Sequence, residues 1–169
     1  SFYAAAYLRG EQDQSHADIE EGFLFSNGRE ANFTGCLLLF LAAMTLVTLS
    51  QHLALLWVAV EATTLASAPL IYFHRHHRSL EATWKYLLIC SVGIALALLG
   101  IFFLAVASNT PASGDVSLVL KDLLSAAPHL NPLWLKAAFV LMLVGYGTKM
   151  GLSPLHTWLP DAHSEAPSV

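Results

Sequence analysis

Four long apolar runs, separated by short polar connections, set the pattern of this chain. They occupy about 32–50, 52–73, 84–108 and 133–162, and the last is interrupted near 149–154. A helix rises ~1.5 Å per residue, so ~20 apolar residues cross a bilayer core of ~30 Å. Runs of this length match helices rather than short strands. From Tyr86 to Ser108 the third run carries no charge at all. The pattern predicts an all-α, polytopic transmembrane helix bundle with one discontinuous helix near Lys149. Residues 1–30 read as the end of a preceding helix plus a polar, mostly acidic loop, and residues 31–169 as the membrane domain.

The connections sharpen this picture. Ser50-Gln51-His52 is so short that the first two runs are expected to form an antiparallel hairpin. The connection after the third run holds Pro111, Gly114, Pro128 and Pro132. Its middle, Val116 to Ala126, is expected to form a short surface helix with Asp115 as N-cap. A start at Ser1 rather than methionine, and a stop at Val169, are what a piece of a longer membrane protein would show.

Composition agrees with lipid as the solvent. Hydrophobic residues make up 56% and charged residues 12%, against about 25% charged in soluble domains. A net charge of −4 without a basic stripe argues against nucleic-acid binding. Cys36 and Cys90 both lie in apolar runs and read as small packing residues, neither a disulfide framework nor metal ligands. Threading four spans places Arg9, Arg29, Arg75 and Arg78 on one side and Lys121 and Lys136 on the other. The arginine-rich side is expected to be cytoplasmic. His74-Arg75-His76-His77-Arg78 then reads as a basic loop that meets headgroups, in preference to a metal site.

The candidate chemistry lies in charges within apolar runs. Glu61 stands in the middle of the second run. A charge at that depth costs roughly 2.5–3.5 kcal/mol on insertion scales, so such residues usually serve ion pathways. Its neighbours include Thr63, Thr64 and Ser67, whose hydroxyls can hold water and let helices approach. A structural ion pair is the alternative. Lys149 lies within Gly145-Tyr146-Gly147-Thr148-Lys149-Met150-Gly151-Leu152-Ser153-Pro154, where three glycines and a proline predict a helix break. Either the helix resumes around Leu155 to Leu159, with Lys149 at the break, or it ends at Gly151 and Lys149 snorkels to the interface. Lys85, between Trp84 and Tyr86, is an aromatic-belt anchor or a lysine reaching toward Glu61. His52 at the hairpin turn, His156 and Thr64 are possible proton relays, and His163 is a second histidine in the stretch after Lys149.

Three stretches carry a family resemblance. Lys149-Met-Gly-Leu-Ser-Pro-Leu-His-Thr-Trp-Leu-Pro-Asp-Ala-His-Ser-Glu-Ala-Pro-Ser168 resembles the signature of the antiporter-like subunits of respiratory complex I and its relatives. Val58-Ala-Val-Glu61-Ala-Thr-Thr-Leu-Ala-Ser-Ala-Pro-Leu-Ile71 resembles that family's glutamate-bearing helix, and Leu80-Glu-Ala-Thr-Trp-Lys85-Tyr its next helix. The Ala-Thr-Thr and Tyr72-Phe73-His74-Arg75 details are closest to the hydrogenase-4 component F branch.

The resemblance implies that this chain is part of the first inverted repeat. It implies that Glu61, Lys149 and Lys85 are the proton-translocating residues, with Glu61 and Lys149 acting together and Lys85 in reach. It implies no redox centre and no cofactor in the chain itself, which would be an ion-translocating subunit of a hydrogenase or NADH dehydrogenase-like complex. The implied partners are other membrane subunits, neighbouring antiporter-like subunits, a soluble redox arm and the lipid bilayer. The implied location is a bacterial or archaeal inner membrane. Two rivals stand beside this reading: a sodium/proton exchanger subunit of a multisubunit antiporter, and a structural membrane anchor.

Overall fold

The computed structural model describes residues 2–11, 15–17, 24–26, 29–109 and 117–167. The first helix, α1 (Phe2–Glu11), precedes a short antiparallel ribbon of β1 (Ser15–Ala17) and β2 (Leu24–Ser26), with His16 opposite Phe25. Three-residue strands leave no periodic signal in a polar segment, so the hydrophobic pattern did not announce them. The acidic Asp13, Asp18, Glu20 and Glu21 lie outside the described residues.

The hairpin is formed by α2 (Glu30–Leu49) and α3 (Leu53–Ile71). His52 caps α3: its Nδ1 accepts the Ala54 N–H at 3.2 Å. That bond satisfies one of the orphan donors at the helix start. Pro69 lies in the last turn of α3, and a 3-10 turn over Tyr72–His74 follows. Arg75 then adopts the left-handed region, φ 53°, and reverses the chain.

The third apolar helix, α4 (His77–Ser108), begins well before the expected start near 84. Two local bonds explain the extra turns. His76 Nδ1 accepts the Ser79 N–H at 3.1 Å, and Ser79 Oγ donates to the Ile71 carbonyl at 2.9 Å. At 32 residues, α4 is ~48 Å long at the standard rise and overshoots a bilayer core. The connection beyond it holds α5 (Leu120–Ala126), shorter than the expected helix. The predicted cap, Asp115, lies outside the described residues. This loop is tied to the hairpin turn, since Leu53 N donates to Leu118 O at 3.0 Å and Leu120 N to Gln51 O at 2.8 Å.

The last apolar helix is α6 (Pro132–Met150), capped by Asn131, whose Oδ1 accepts the Leu133 N–H at 3.0 Å. It stops at Gly151, φ 77°, and Leu152 N donates back to Gly147 O at 2.8 Å. That is a left-handed glycine cap of the Schellman type. Residues 151–157 are not helical, and α7 (Trp158–Glu165) follows. The helix is therefore discontinuous, and its second part begins later than Leu155.

In this membrane bundle α4 and α6 touch through backbone. A Cβ added at Gly145 would lie 2.6 Å from both Ala97 N and Gly93 O, and one at Gly100 would lie 3.0 Å from Ala138 O. Small residues let helices approach this closely where lipid supplies no hydrophobic drive between them. A buried cluster of Ala68, Ile71, Ala82, Tyr86, Cys90 and Trp158 joins α3, α4 and α7. Large apolar side chains such as Leu39, Leu65, Val92 and Phe139 are more than half exposed on the outside. Helices α2, α4 and α6, and α3 extended through the 3-10 turn, are each long and apolar enough to cross a membrane.

Candidate functional site

On α3, Glu61 lies ~12 Å beyond Leu53 and Thr64 ~16 Å beyond it at the helical rise, so both sit near mid-span. The Glu61 carboxylate is partly buried. Its Oε1 accepts the Ser91 hydroxyl from α4 at 3.0 Å. Its Oε2 is buried and has no hydrogen-bond partner among the described residues. Neither lysine forms an ion pair with Glu61: the ion pairs of Lys85 are to Glu81 and Asp161.

Lys149 occupies the last turn of α6 and is held by neutral groups. Its Nζ donates to Tyr86 OH at 2.6 Å and to Thr64 Oγ1 at 2.9 Å. Tyr86 OH lies 2.7 Å from Ser67 Oγ, which is 2.7 Å from the Thr63 carbonyl. An ammonium only donates, so the donor order that fits runs from Lys149 to Tyr86 to Ser67 to the Thr63 carbonyl. Thr64 is fully buried, with 0% exposure. The snorkelling alternative is thus not realised, although α6 does end at Gly151.

The break in the helix completes this cage. Trp158, the first residue of α7, donates its Nε1–H to the Thr148 carbonyl at 2.9 Å. Its ring packs on Tyr86 with centroids 5.1 Å apart. The chain leaves α6, turns and returns to hold both the carbonyl before Lys149 and the tyrosine whose hydroxyl accepts its hydrogen bond. A mostly apolar recess of about 460 Å³ reaches Lys149, Tyr86 and Ser67 from between α2, α3 and α7.

Cys90, 0% exposed, is one turn beyond Tyr86 and one residue before Ser91. Along α3 the two sites are ~4.5 Å apart in rise (Glu61 to Thr64), and along α4 ~7.5 Å (Tyr86 to Ser91). The opposite charges are thus neighbours without being partners.

The other sequence candidates lie elsewhere. Lys85 is 47% exposed and bridges Glu81 Oε1 at 2.8 Å and Asp161 Oδ2 at 2.9 Å. It fastens α7 to α4 and is not brought to Glu61. His52 is exposed at the α3 cap, and His156 is exposed in the break. His76 spends Nδ1 on Ser79 and directs Nε2 at Glu165 Oε2, 3.0 Å away. With one ring nitrogen accepting and the other donating, the neutral ring satisfies both contacts.

Three residues of the site were not singled out from sequence: Tyr86 and Ser91 on α4, and Trp158 on α7. In the sequence Tyr86 reads only as a belt aromatic beside Lys85. Ser91 is a single hydroxyl inside an otherwise apolar run, and that isolation is its signal in the sequence.

Comparison with known proteins places this geometry. The chain is 41% identical over 129 residues to the hydrogenase-4 component F homolog of Methylacidiphilum infernorum, covering 76% of this chain and 27% of that protein. Its fold is similar to a chain of respiratory complex I from Thermus thermophilus, with TM-score 0.68, 34% identity, and coverage of 83% and 29%. It is also similar to a chain of the archaeal membrane-bound sulfane sulfur reductase, with TM-score 0.71, 25% identity, and coverage of 78% and 26%. The chain spans about a quarter of the length of such relatives. Four apolar helices long enough to cross a membrane make it a multi-pass membrane chain, like its relatives in bacteria and archaea. Residues 50–169 match the model of the NADH:quinone oxidoreductase/Mrp antiporter transmembrane family, and the chain belongs to that family.

Proposed function

We propose that this chain carries one half of a proton path in a hydrogenase or NADH dehydrogenase-like membrane complex, with Glu61 and Lys149 as its titrating groups. One observation supports the reading above others: two opposite charges lie within apolar spans, each held by hydroxyls and neither locked to the other. A direct buried ion pair resists any change of charge, because removing one partner strands the other. Hydroxyl cages do not impose that penalty.

In the proposed cycle a proton reaching Glu61 removes the negative charge that stabilises the Lys149 ammonium, and so favours release from Lys149. Opposite charges held on neighbouring turns of the same two helices attract each other more strongly in a low-dielectric interior than in water, and that attraction couples their charge states. The two groups then titrate as a set rather than singly. Thr64, which touches Lys149 directly, is the nearest relay; His52 and His156 serve the outer ends. Lys85 acts from the rim, by holding α7 and thereby Trp158 in place. The proposed partners are further membrane subunits, antiporter-like neighbours and a soluble redox arm.

The test is proton translocation by the intact complex in proteoliposomes. Glu61→Gln and Lys149→Met should each abolish pumping while the complex still assembles. Normal pumping in either variant sinks the reading. Sodium-dependent exchange without any redox partner would assign the chain to the exchanger class of the same family instead.

A further inference from the structure

Away from Glu61 and Lys149, a cavity of about 260 Å³ opens where α2 begins and α3 ends. Arg29, Arg75, Asn32 and Tyr72 line it, over a floor that includes Phe33 and Phe73. These two rings are 5% and 4% exposed and meet edge to face at 5.1 Å, so the floor is fixed. Among the described residues, neither guanidinium pairs with a carboxylate, and the Asn32 amide and Tyr72 hydroxyl have no side-chain partner. Arg75 is also the non-glycine residue at positive φ, a conformation that costs energy outside glycine and here turns the chain at the rim of the cavity. Glu30, the nearest carboxylate in sequence to Arg29, does not line the cavity and has an interaction of its own.

Two cations, an amide and a phenol that line one cavity over an aromatic floor offer the donors a phosphate oxyanion needs. Guanidinium forks match phosphate oxygens bidentately, and Asn and Tyr supply neutral donors. The position selects the source of the phosphate. The spans of α2 and α3 end here, at Glu30 and His74, so the cavity lies at headgroup depth. It lies on the arginine-rich side, the side that the positive-inside rule assigns to the anionic cytoplasmic leaflet. The apolar floor suits a glycerol backbone and the first acyl carbons, which free phosphate lacks. We propose that this cavity binds the phosphodiester headgroup of an anionic phospholipid and so seats the α2–α3 hairpin against the inner leaflet. The site is independent of the proton path.

The experiment uses the full-length protein in its purified complex, in nanodiscs of phosphatidylcholine with or without phosphatidylglycerol, with native mass spectrometry counting retained lipid. The wild type should keep one more phosphatidylglycerol per subunit than the double variant R29Q/R75Q. R9Q, which removes an arginine outside the cavity, should keep the wild-type number. Equal retention by wild type and R29Q/R75Q overturns the proposal. So does equal occupancy from inorganic phosphate added to phosphatidylcholine nanodiscs, which would make the site one for the free anion. Should R29Q/R75Q fail to assemble, N32L and Y72F leave both guanidiniums in place. Each should then release phosphatidylglycerol several-fold faster than wild type, and unchanged release overturns the proposal equally.

Discussion

Lys85 and Lys149 lie on either side of one tyrosine, and the protein treats them in opposite ways. Lys85 precedes Tyr86 in the chain, yet successive helical residues point ~100° apart. Tyr86 therefore turns inward to receive Lys149 while Lys85 turns outward to Glu81 and Asp161. The outer lysine is exposed and doubly paired with carboxylates. The inner one is partly buried and held by two hydroxyls. An ammonium between carboxylates is a fastener, because its charge is what they require. An ammonium among hydroxyls can lose its proton and leave no stranded charge behind. The contrast separates a lysine that holds the fold from one suited to carry protons.

The largest expected effect removes the scaffold of the inner lysine. Gly145→Leu drives a side chain into the α4 backbone, where even a Cβ lies 2.6 Å from Ala97 N. It should destabilise the bundle by about 3 kcal/mol or more. Thermal unfolding would show a lower midpoint, and Cys90, fully buried in the native fold, would become open to maleimide. Wild-type labelling of Cys90 in this variant would contradict the close contact of α4 and α6.

Next comes the pair of lysines itself. Lys149→Met should abolish proton translocation, a loss of at least ~100-fold, the scale of a lost acid–base group. Lys85→Met should retain at least a sizeable fraction of the rate. Equal losses would erase the distinction drawn here.

A smaller effect tests the cage. Tyr86→Phe keeps the ring on Trp158 but removes an acceptor from a charged donor, a bond worth about 1.5–3 kcal/mol. Translocation should fall several-fold to ~10-fold with assembly unchanged, and the outward variant Asp161→Asn should fall less. The smallest effect is ionic. Raising salt from 0.15 M to 1 M shortens the Debye length from ~8 to ~3 Å. Hydrogen exchange of residues 158–165 should quicken with salt in the wild type and lose that dependence in Lys85→Met. Salt-independent exchange in the wild type would mean that Lys85 and its carboxylates do not hold α7.

Much of this was legible in the chain alone. Length and apolarity are local properties, so the runs specified transmembrane helices, and the glycines around Lys149 with Pro154 specified a break. A carboxylate and a lysine amid apolar residues announced a costly burial. The start of α4 was less legible, because it depends on Ser79 reaching the carbonyl of Ile71 across a turn.

What the sequence by itself determined is which residues enter the membrane and which of them bear charge, since both follow from transfer energies that each segment carries with it. Only the tertiary structure decided the pairings. Whether Lys149 meets Glu61, a headgroup or Tyr86 depends on how α3, α4 and α7 rotate against one another, and that is set by close contacts such as Gly145 on Gly93 and Trp158 on Tyr86. A hydroxyl cage has no spacing rule along one chain, because its members come from different helices and meet only when the bundle closes.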